Sequence, residues 1–476
     1  MTFYFYDLET SGINPREARV MQFAGQRTDM DLNPIGEPHN ILIKLSDDVV
    51  PEPDAILITG ITPQKTIAEG ITEAEFLKIF HAEVATPETI FIGFNTVRFD
   101  DEFMRFLHYR NFYDPYEWQW KDKRSRWDLL DLVRMTRALR PDGIKWPFDS
   151  QGKPANRLEM LTAVNGLDHQ HAHDALNDVL ASIALAKLIK DKQPKLFDYL
   201  LTMRDKKEIA KLVMGNEPFV YSSGKFSALH EKTTVVATLA PHPNRSGAAL
   251  VYDLRHDPEP FLGLSAEQLA ECWRWKKDKT ELQLPVKTLQ FNRCPAIAPM
   301  AVLDEDSQAR LALDKKQLQA NVEKLRGAKN FVNTLFKALE MMDEMQQARF
   351  LEDEAEVDSQ LYEGFFEDQD RTKMSMVRAA EPAELKNLEV VFRDQRLQTM
   401  LPLYKARNFP NSLTETDREV WQQFRERKLY GGKENSRLAR MFKRLSEISE
   451  RKDLNDEQKF LLQELELYGQ SLMPDF

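Results

Sequence analysis

The beginning of the chain combines a strand pattern with two closely spaced carboxylates. The aromatic run 3–6 leads directly into Asp7 and Glu9, with Leu8 between them. Because successive side chains of a strand point to opposite faces, both carboxylates project from one face, roughly 6–7 Å apart along the backbone. Two such groups repel each other unless a cation binds between them. The pattern therefore predicts a strand that ends in an acidic site, and Gly12 places a turn just beyond it.

Length and composition limit what surrounds this strand. At 476 residues the chain is too long for one core, and 42% hydrophobic with 30% charged residues is typical of a globular protein. No apolar run of about 18 residues predicts a membrane helix, and the N-terminal run resembles a strand rather than a secretory signal. Cys272 and Cys294 are too few for a disulfide framework or a cysteine metal cluster. We expect a cytoplasmic protein.

The net charge of −11 argues against nonspecific binding to duplex DNA, where phosphate neutralisation dominates affinity. It leaves room for a nucleic-acid enzyme with a local basic groove.

Three segments differ in character. Residues 1–193 are predicted to form a mixed sheet flanked by helices, and Pro194 marks the boundary because it cannot continue the preceding helix. Residues 194–345 alternate short strands with turns, which predicts a β-rich domain closed by a helix over 315–342. Residues 346–476 are predicted to be helical. They begin with an acidic stretch, 352–370, that contains no Lys or Arg and is interpreted as a solvated face or a linker.

Periodicity predicts the elements of the first segment. Strands are expected at 2–6, 20–27, 40–44 and 89–94, and helices at 73–85, 102–109, 129–138, 158–165 and 174–188.

Further acidic residues occur where these elements end or begin. Asp100 and Asp101 open a helix, where an aspartate commonly caps the free N–H groups; one of the two can instead point into a site at the sheet edge. Downstream, His173 precedes a helix that carries Asp178 among apolar residues. A buried carboxylate needs a cation or a hydrogen-bond donor.

Together these residues supply four carboxylates and one base. Oxygen ligands suit Mg²⁺ or Mn²⁺ better than zinc. Two such ions can stabilise the attacking and leaving oxygens of a phosphodiester displacement, and a histidine can accept the proton of the attacking water. The sequence therefore favours a metal-dependent phosphodiesterase.

At this point the chain resembles the bacterial exodeoxyribonuclease I family of DEDDh exonucleases. The resemblance rests on segments spread over the whole chain: ITGITPQ (58–64), VRFDDE (97–102), YRNFYDPY (109–116), SRWDLLD (125–131), DSQLYEGFF (358–366) and YKARNFP (404–410). It implies a ribonuclease-H-like exonuclease domain (1–193), an SH3-like β-domain (194–345) and a C-terminal helical domain (346–476).

The resemblance also implies roles for individual residues. Its metal ligands correspond to Asp7, Glu9, Asp100 and Asp178, with two Mg²⁺ ions per site that Mn²⁺ can replace, and its general base corresponds to His173. Asp100 is preferred over Asp101 because it directly follows Phe99, as in the family motif. Stacking aromatics and cations hold single strands, and the implied DNA contacts are Glu9, Arg105, Tyr116, Trp120, Arg134 and Arg157, with Lys206 and Arg293 as weaker candidates. Arg140 and Tyr199 are implied to bind the C-terminal tail of single-strand-binding protein.

The function implied is a monomeric, processive 3′→5′ exonuclease that degrades single-stranded DNA to nucleoside 5′-monophosphates in DNA repair and recombination. Three alternatives stay open on the sequence. They are a 3′→5′ exoribonuclease on the same fold, a catalytically silent single-strand-binding protein and an endonuclease.

Overall fold

A computed structural model describes residues 1–167, 174–274, 281–350 and 356–473, without the side chains of 346–350 and 433. These residues divide into two compact units. The first holds the described residues of Met1–Ser125, His169–Leu180 and Ala355–Phe476, and the second those of Arg126–Asp168 and Ala181–Glu354. Because these units combine distant stretches of sequence, the three-domain division at residues 193 and 345 stays a prediction.

The elements follow in chain order. The strands are β1 (Thr2–Thr10), β2 (Val20–Thr28), β3 (Pro34–Leu42), β4 (Thr89–Gly93), β5 (Ser125–Asp128), β6 (Phe219–Ser222), β7 (Thr233–Pro241), β8 (Ala248–Asp253), β9 (Val286–Gln290) and β10 (Ala296–Pro299). The helices are α1 (Pro53–Thr59), α2 (Pro63–Glu69), α3 (Glu73–Ile79), α4 (Asp100–Arg110), α5 (Leu129–Leu139), α6 (Leu158–Asn165), α7 (Ala175–Lys192), α8 (Pro194–Thr202), α9 (Lys206–Val213), α10 (Glu259–Leu262), α11 (Ala266–Trp273), α12 (Glu305–Arg310), α13 (Lys315–Gly327), α14 (Phe331–Phe350), α15 (Asp368–Ala379), α16 (Pro382–Leu385), α17 (Gln395–Asn408), α18 (Glu415–Tyr430), α19 (Arg437–Ser449) and α20 (Asp456–Ser471).

The sheet of the first unit positions the acidic strand centrally. Its strands lie in the order β3–β2–β1–β4, and β1 runs antiparallel to β2 and parallel to β4. One face of β1 buries Tyr4, Tyr6 and Leu8 in an aromatic core. The alternate residues Asp7 and Glu9 therefore point to the opposite face, as the sequence predicted.

The second unit contains an antiparallel sheet in the order β10–β6–β7–β8–β9. One face of this sheet packs against α9 through Ile209 and Val213 in a separate apolar core. This agrees with the β-rich character predicted for the middle of the chain. Within the described ranges, no helix has both the length and the apolar character to cross a membrane.

Several predicted elements differ from the structure. The strand predicted at 2–6 extends to Thr10, and the helix predicted over 73–85 is α-helical to Ile79 and continues as a π-helix over Phe80–Val84. The strand predicted at 40–44 is longer and begins earlier, as Pro34–Leu42. The helix predicted over 315–342 is wrong as one piece, since it is interrupted between Gly327 and Phe331. Gly327 has a poor helix propensity, which explains an end at this position.

The interpretation of the acidic stretch as a solvated face or linker is wrong at Asp358. This side chain is fully buried in an ionic cluster that also contains Arg19, Asp48, Arg407 and Lys428. Arg407 Nη2 lies 2.7 Å from Asp358 and 2.8 Å from Asp48. Burial alone would raise the pKa of Asp358, but Arg407, Lys428 and Arg19 lower it far below its usual range. The cluster joins segments that flank β2 and β3 (Arg19 and Asp48) to α17 and α18 of the first unit.

Candidate active site

The carboxylates of the first unit converge at the end of β1. Oxygens of Asp7, Glu9 and Asp178 all lie within 4.8 Å of one another. Asp7 and Glu9 share one face of β1, and Asp178 stands in the first turn of α7. The structure thus brings together three of the four carboxylates that the sequence selected.

A cap fixes the direction of α7. The Oδ1 atom of Asp174 accepts hydrogen bonds from the backbone N–H groups of Leu176 (3.1 Å) and Asn177 (3.2 Å). The backbone N–H of Asp178 donates to the carbonyl of Asp174 at 3.0 Å. Sequence reasoning missed Asp174, although an aspartate just before an apolar helix is a recognisable N-cap signal.

The two adjacent aspartates of α4 have different surroundings. Asp101 accepts a hydrogen bond of 2.6 Å from the Tyr6 hydroxyl, on the core side of β1. Asp100 is buried as well, and its pKa is raised well above its usual value by burial, then by the charge of Asp7, with a smaller effect of Glu9. Asp100 therefore interacts electrostatically with the acidic site through Asp7. Asp101 is instead held on the core side of β1 by its hydrogen bond with Tyr6.

Burial and mutual repulsion both disfavour charge on the acids of the site, and burial has the larger effect. Burial raises the pKa of Glu9 to about 9, with further contributions from Asp7, Asp178 and Asp174. Burial also raises the pKa of Asp7, and Asp178 adds to that rise. A divalent cation between these oxygens would offset the repulsion. The donor set consists of carboxylate oxygens alone, which suits hard cations, so these residues fit the implied metal.

The predicted base His173 lies outside the described residues. Its assignment stays a prediction.

Apart from Glu9 on β1, the predicted DNA contacts within the first unit lie on or after α4. Arg105 is buried and pairs with Glu102 (Nη1–Oε1 2.6 Å), and its guanidinium carbon lies 5.7 Å from the centre of the Tyr116 ring. Trp120 is 61% exposed. Arg105 and Trp120 therefore belong to the same unit, the first buried and the second exposed. Their roles in DNA binding stay predictions.

The remaining predicted contacts belong to the second unit. Arg134 pairs with Asp131 at 2.6 Å and packs against Gly224, where an added Cβ would lie 3.1 Å from its Nη2. Arg157 and Lys206 are exposed at the N-terminal ends of α6 and α9, and Arg293 is half-buried after β9.

The residues predicted to bind a protein tail are also in the second unit. Arg140 lies 3.1 Å from Asp304 and donates to the Val302 carbonyl at 2.9 Å. Tyr199 is half-buried beside an apolar core, and burial raises its pKa to about 12.

Family models match three consecutive parts of the chain. Residues 4–186 match an exonuclease model, 204–340 match the Exonuclease I SH3-like domain, and 355–472 match the Exonuclease I C-terminal domain. Exodeoxyribonuclease I from Escherichia coli is 42% identical over 433 residues, which cover 89% of each chain. The chain belongs to the exodeoxyribonuclease I family. Its fold is accordingly a ribonuclease-H-like exonuclease domain with SH3-like and C-terminal helical domains.

Solved structures of the family agree over nearly the full length. A crystal structure of E. coli Exonuclease I in complex with a dA16 oligonucleotide has a TM-score of 0.92 at 39% identity and covers 99% of this chain and 100% of that one. A crystal structure of SSB/Exonuclease I in complex with the inhibitor CFAM has a TM-score of 0.89 at 38% identity, with 99% of both chains covered.

Proposed function

We propose that this protein is a magnesium-dependent 3′→5′ exonuclease that degrades single-stranded DNA to nucleoside 5′-monophosphates. The observation that carries the proposal is the convergence of Asp7, Glu9 and Asp178 within 4.8 Å, in a chain of the exodeoxyribonuclease I family. Four acids near one strand end destabilise the fold unless they bind cations. Their presence together therefore favours an enzyme over a silent binding protein.

Two Mg²⁺ ions, which Mn²⁺ can replace, would be held by Asp7, Glu9, Asp100 and Asp178. The charge coupling between Asp7 and Asp100 supports Asp100 over Asp101 as the fourth ligand. When bound, the ions would supply electrostatic stabilisation of the charge that develops on the phosphate during hydrolysis. Glu9, which is buried at the strand end, would in addition contact the terminal nucleotide.

His173 would accept the proton of the attacking water. We expect His173→Ala to reduce hydrolysis by about a hundredfold or more, since a positioned base contributes on the order of 10²–10⁴. DNA affinity, measured by fluorescence anisotropy in EDTA, should stay nearly unchanged. Normal hydrolysis by this variant would show that another group is the base.

The E. coli relative has been crystallised with a dA16 oligonucleotide, which supports single-stranded DNA as the ligand. The residues that would bind the strand are Arg105, Tyr116, Trp120, Arg134, Arg157, Lys206 and Arg293. Arg140 and Tyr199 would bind the tail of single-strand-binding protein, in line with the SSB/Exonuclease I structure. The protein would act as a monomer and processively, in the cytoplasm, and would serve DNA repair and recombination. Its domain boundaries would lie near residues 193 and 345.

Matched DNA and RNA oligonucleotides test the substrate class. Degradation of the single-stranded DNA with Mg²⁺, none with EDTA and little of the RNA would support the proposal. Preference for RNA would favour the exoribonuclease, because the 2′-hydroxyl is what distinguishes the two substrates. Cleavage of circular single-stranded DNA would instead indicate an endonuclease.

A further inference from the structure

A basic pocket lies at one end of the antiparallel sheet of the second unit, where β7 and β9 begin and β8 ends. Its cavity has a volume of about 240 Å³. The charged and titratable residues that line it are Lys225, His230, Arg255, His256 and Lys287, together with the acid Asp253. In a chain with a net charge of −11, such a local excess of basic groups indicates an anionic ligand.

Arg255 supplies a fixed positive charge to this pocket. Its guanidinium donates to the backbone carbonyls of Leu311 (Nη1–O 2.8 Å) and Thr233 (Nη2–O 3.3 Å). Lys225 is held in a similar way, because its Nζ donates to the carbonyl of Thr288 at 3.1 Å. A carbonyl oxygen orients a cation without neutralising it, so the positive charge is in place before a ligand arrives.

Lys287 and His230 offer hydrogen-bond donors that are free for a ligand. Within the described parts of the chain, neither side chain makes a hydrogen bond or an ion pair with another residue. Both are half-buried, and burial lowers the pKa of each because the charged form loses solvation. A bound anion would offset this cost, since it favours the charged forms of both groups.

The acid Asp253 already has partners of its own. It is buried, and its Oδ1 accepts hydrogen bonds from the Thr234 hydroxyl (2.6 Å) and from the backbone N–H of Arg255 (3.1 Å). Its other oxygen, Oδ2, lies 3.8 Å from Nε2 of His256, whose side chain is 56% exposed. Asp253 therefore orients the wall of the pocket and leaves the basic side chains to contact an anion.

The size and charge of the pocket select the kind of anion. Pockets for drug-sized ligands measure about 300–1,000 Å³, so a cavity of about 240 Å³ suits a smaller group. A phosphate monoester carries a charge of about −1.5 to −2 at pH 7 and three acceptor oxygens, whereas each phosphodiester of a DNA strand carries one negative charge. Several basic groups around a small volume therefore favour the monoester over the strand.

We propose that the basic pocket binds a phosphate dianion, either as inorganic phosphate or as the phosphate monoester of a nucleotide. Lys287, His230 and His256 would donate to the phosphate oxygens, and Arg255 and Lys225 would supply the surrounding positive charge. The pocket contains none of the residues assigned to the metal, to the DNA strand or to the protein tail. Only the nucleotide as a source of the ligand rests on the proposed function, which releases nucleoside 5′-monophosphates.

Isothermal titration calorimetry in EDTA, at constant ionic strength, tests the ligand class with four compounds. Inorganic phosphate and deoxyadenosine 5′-monophosphate (dAMP) should bind with a Kd of about 1 mM or lower. Deoxyadenosine, which has no phosphate, and the dinucleotide dTpdT, which has only a diester, should bind at least about tenfold more weakly, the effect of about one charge-assisted hydrogen bond. Tighter binding of dAMP than of phosphate would identify the nucleotide as the source, and the reverse order would identify free phosphate.

Lys287→Met locates the site, because it keeps an unbranched side chain and removes the ammonium. We expect the Kd for phosphate to rise about tenfold or more, with no loss of melting temperature, since the charge that is removed is half-buried and unpaired. His230→Gln is a second variant and should raise the Kd as well. Lys211→Met, at an exposed pair with Glu208 on α9, is the matched control and should bind phosphate as the parent protein does.

The basic pocket is wrong as a phosphate site if neither phosphate nor dAMP binds, or if Lys287→Met and His230→Gln both bind phosphate as tightly as the parent. Equal affinity for dAMP and deoxyadenosine, or for dAMP and dTpdT, would contradict recognition of a monoester. Because binding is measured without hydrolysis, the basic pocket can fail while the nuclease function stands, and the reverse.

Discussion

At the scale of single residues, the site depends on which neighbour each acid has. Asp100 is coupled by charge to Asp7, whereas Asp101 accepts the Tyr6 hydroxyl in the core. The sequence left these two aspartates unresolved until the family motif favoured Asp100. Their difference comes from which face of β1 each one meets, and a contact across 95 residues has no local signal.

Asparagine at each of these positions separates the two roles. Asp100→Asn should reduce hydrolysis by about a hundredfold or more, because it removes one proposed metal ligand. Asp101→Asn should keep hydrolysis within several-fold and lower the free energy of unfolding by only about 1 kcal/mol, because its amide oxygen can still accept the hydrogen bond from the Tyr6 hydroxyl, although a weaker one than the carboxylate accepts. Steady-state kinetics and urea unfolding measure both effects. Comparable activity losses at the two positions would contradict the assignment.

Metal binding can be measured apart from catalysis. Mg²⁺ at a hundredfold excess over its Kd should stabilise the parent protein by about 2.7 kcal/mol, since it binds only the folded state. Asp178→Asn should reduce this Mg²⁺-dependent rise in melting temperature and, because it relieves repulsion among buried acids, should raise the melting temperature in EDTA. An unchanged Mg²⁺ response would show that Asp178 is no ligand.

At the scale of elements, local signals account for what was predicted. The aromatic run of β1 and the apolar pattern of α7 were visible in the sequence and occur in the structure. Helices α1 and α2 were not predicted, although Pro53 and Pro63 both stand at helix starts. Each has only seven residues, too short for periodicity to be detected.

The cap of α7 should influence the site as well as the helix. Asp174→Ala removes the acceptor for the N–H groups of Leu176 and Asn177, which costs about 1 kcal/mol of stability. We also expect kcat to fall although the protein stays folded, because Asp178 lies in the same helical turn and would no longer be held in position. Asp174→Ser, which can also cap a helix, should recover most of both; urea unfolding and steady-state kinetics compare the variants. Full activity of Asp174→Ala would show that the cap does not position Asp178.

At the scale of the whole molecule, a buried ionic cluster links segments that are far apart in sequence. Asp48, Asp358 and Arg407 meet although more than 300 residues separate Asp48 from the other two. The acidic composition of 352–370 predicted solvent exposure. The prediction failed at Asp358 because composition carries no information on partners that are distant in sequence. Only the fold shows that Asp358 is neutralised by buried cations.

Asp358→Asn should lower the free energy of unfolding by about 3–5 kcal/mol near pH 7, because it leaves three buried cations with Asp48 as their remaining carboxylate in the cluster. The folded pKa of Asp358 lies below its unfolded value, so the carboxylate stabilises the fold above about pH 4 and loses this effect as the pH falls further. The difference between parent and variant should therefore shrink below about pH 4 in urea titrations in EDTA. Glu415→Gln, at an exposed pair with Arg418, is the control and should change little; a loss as small for Asp358→Asn would contradict the role of the cluster.

The most direct test of the central claim is the product pattern from a linear single-stranded DNA labelled at its 5′ end. With Mg²⁺, the label should pass from the full-length strand into short 5′-terminal oligonucleotides while unlabelled nucleoside 5′-monophosphates accumulate, and Asp7→Asn should leave the strand intact. Early release of the label as a mononucleotide, or hydrolysis by Asp7→Asn at the parent rate, would contradict a 3′→5′ exonuclease built on this carboxylate site.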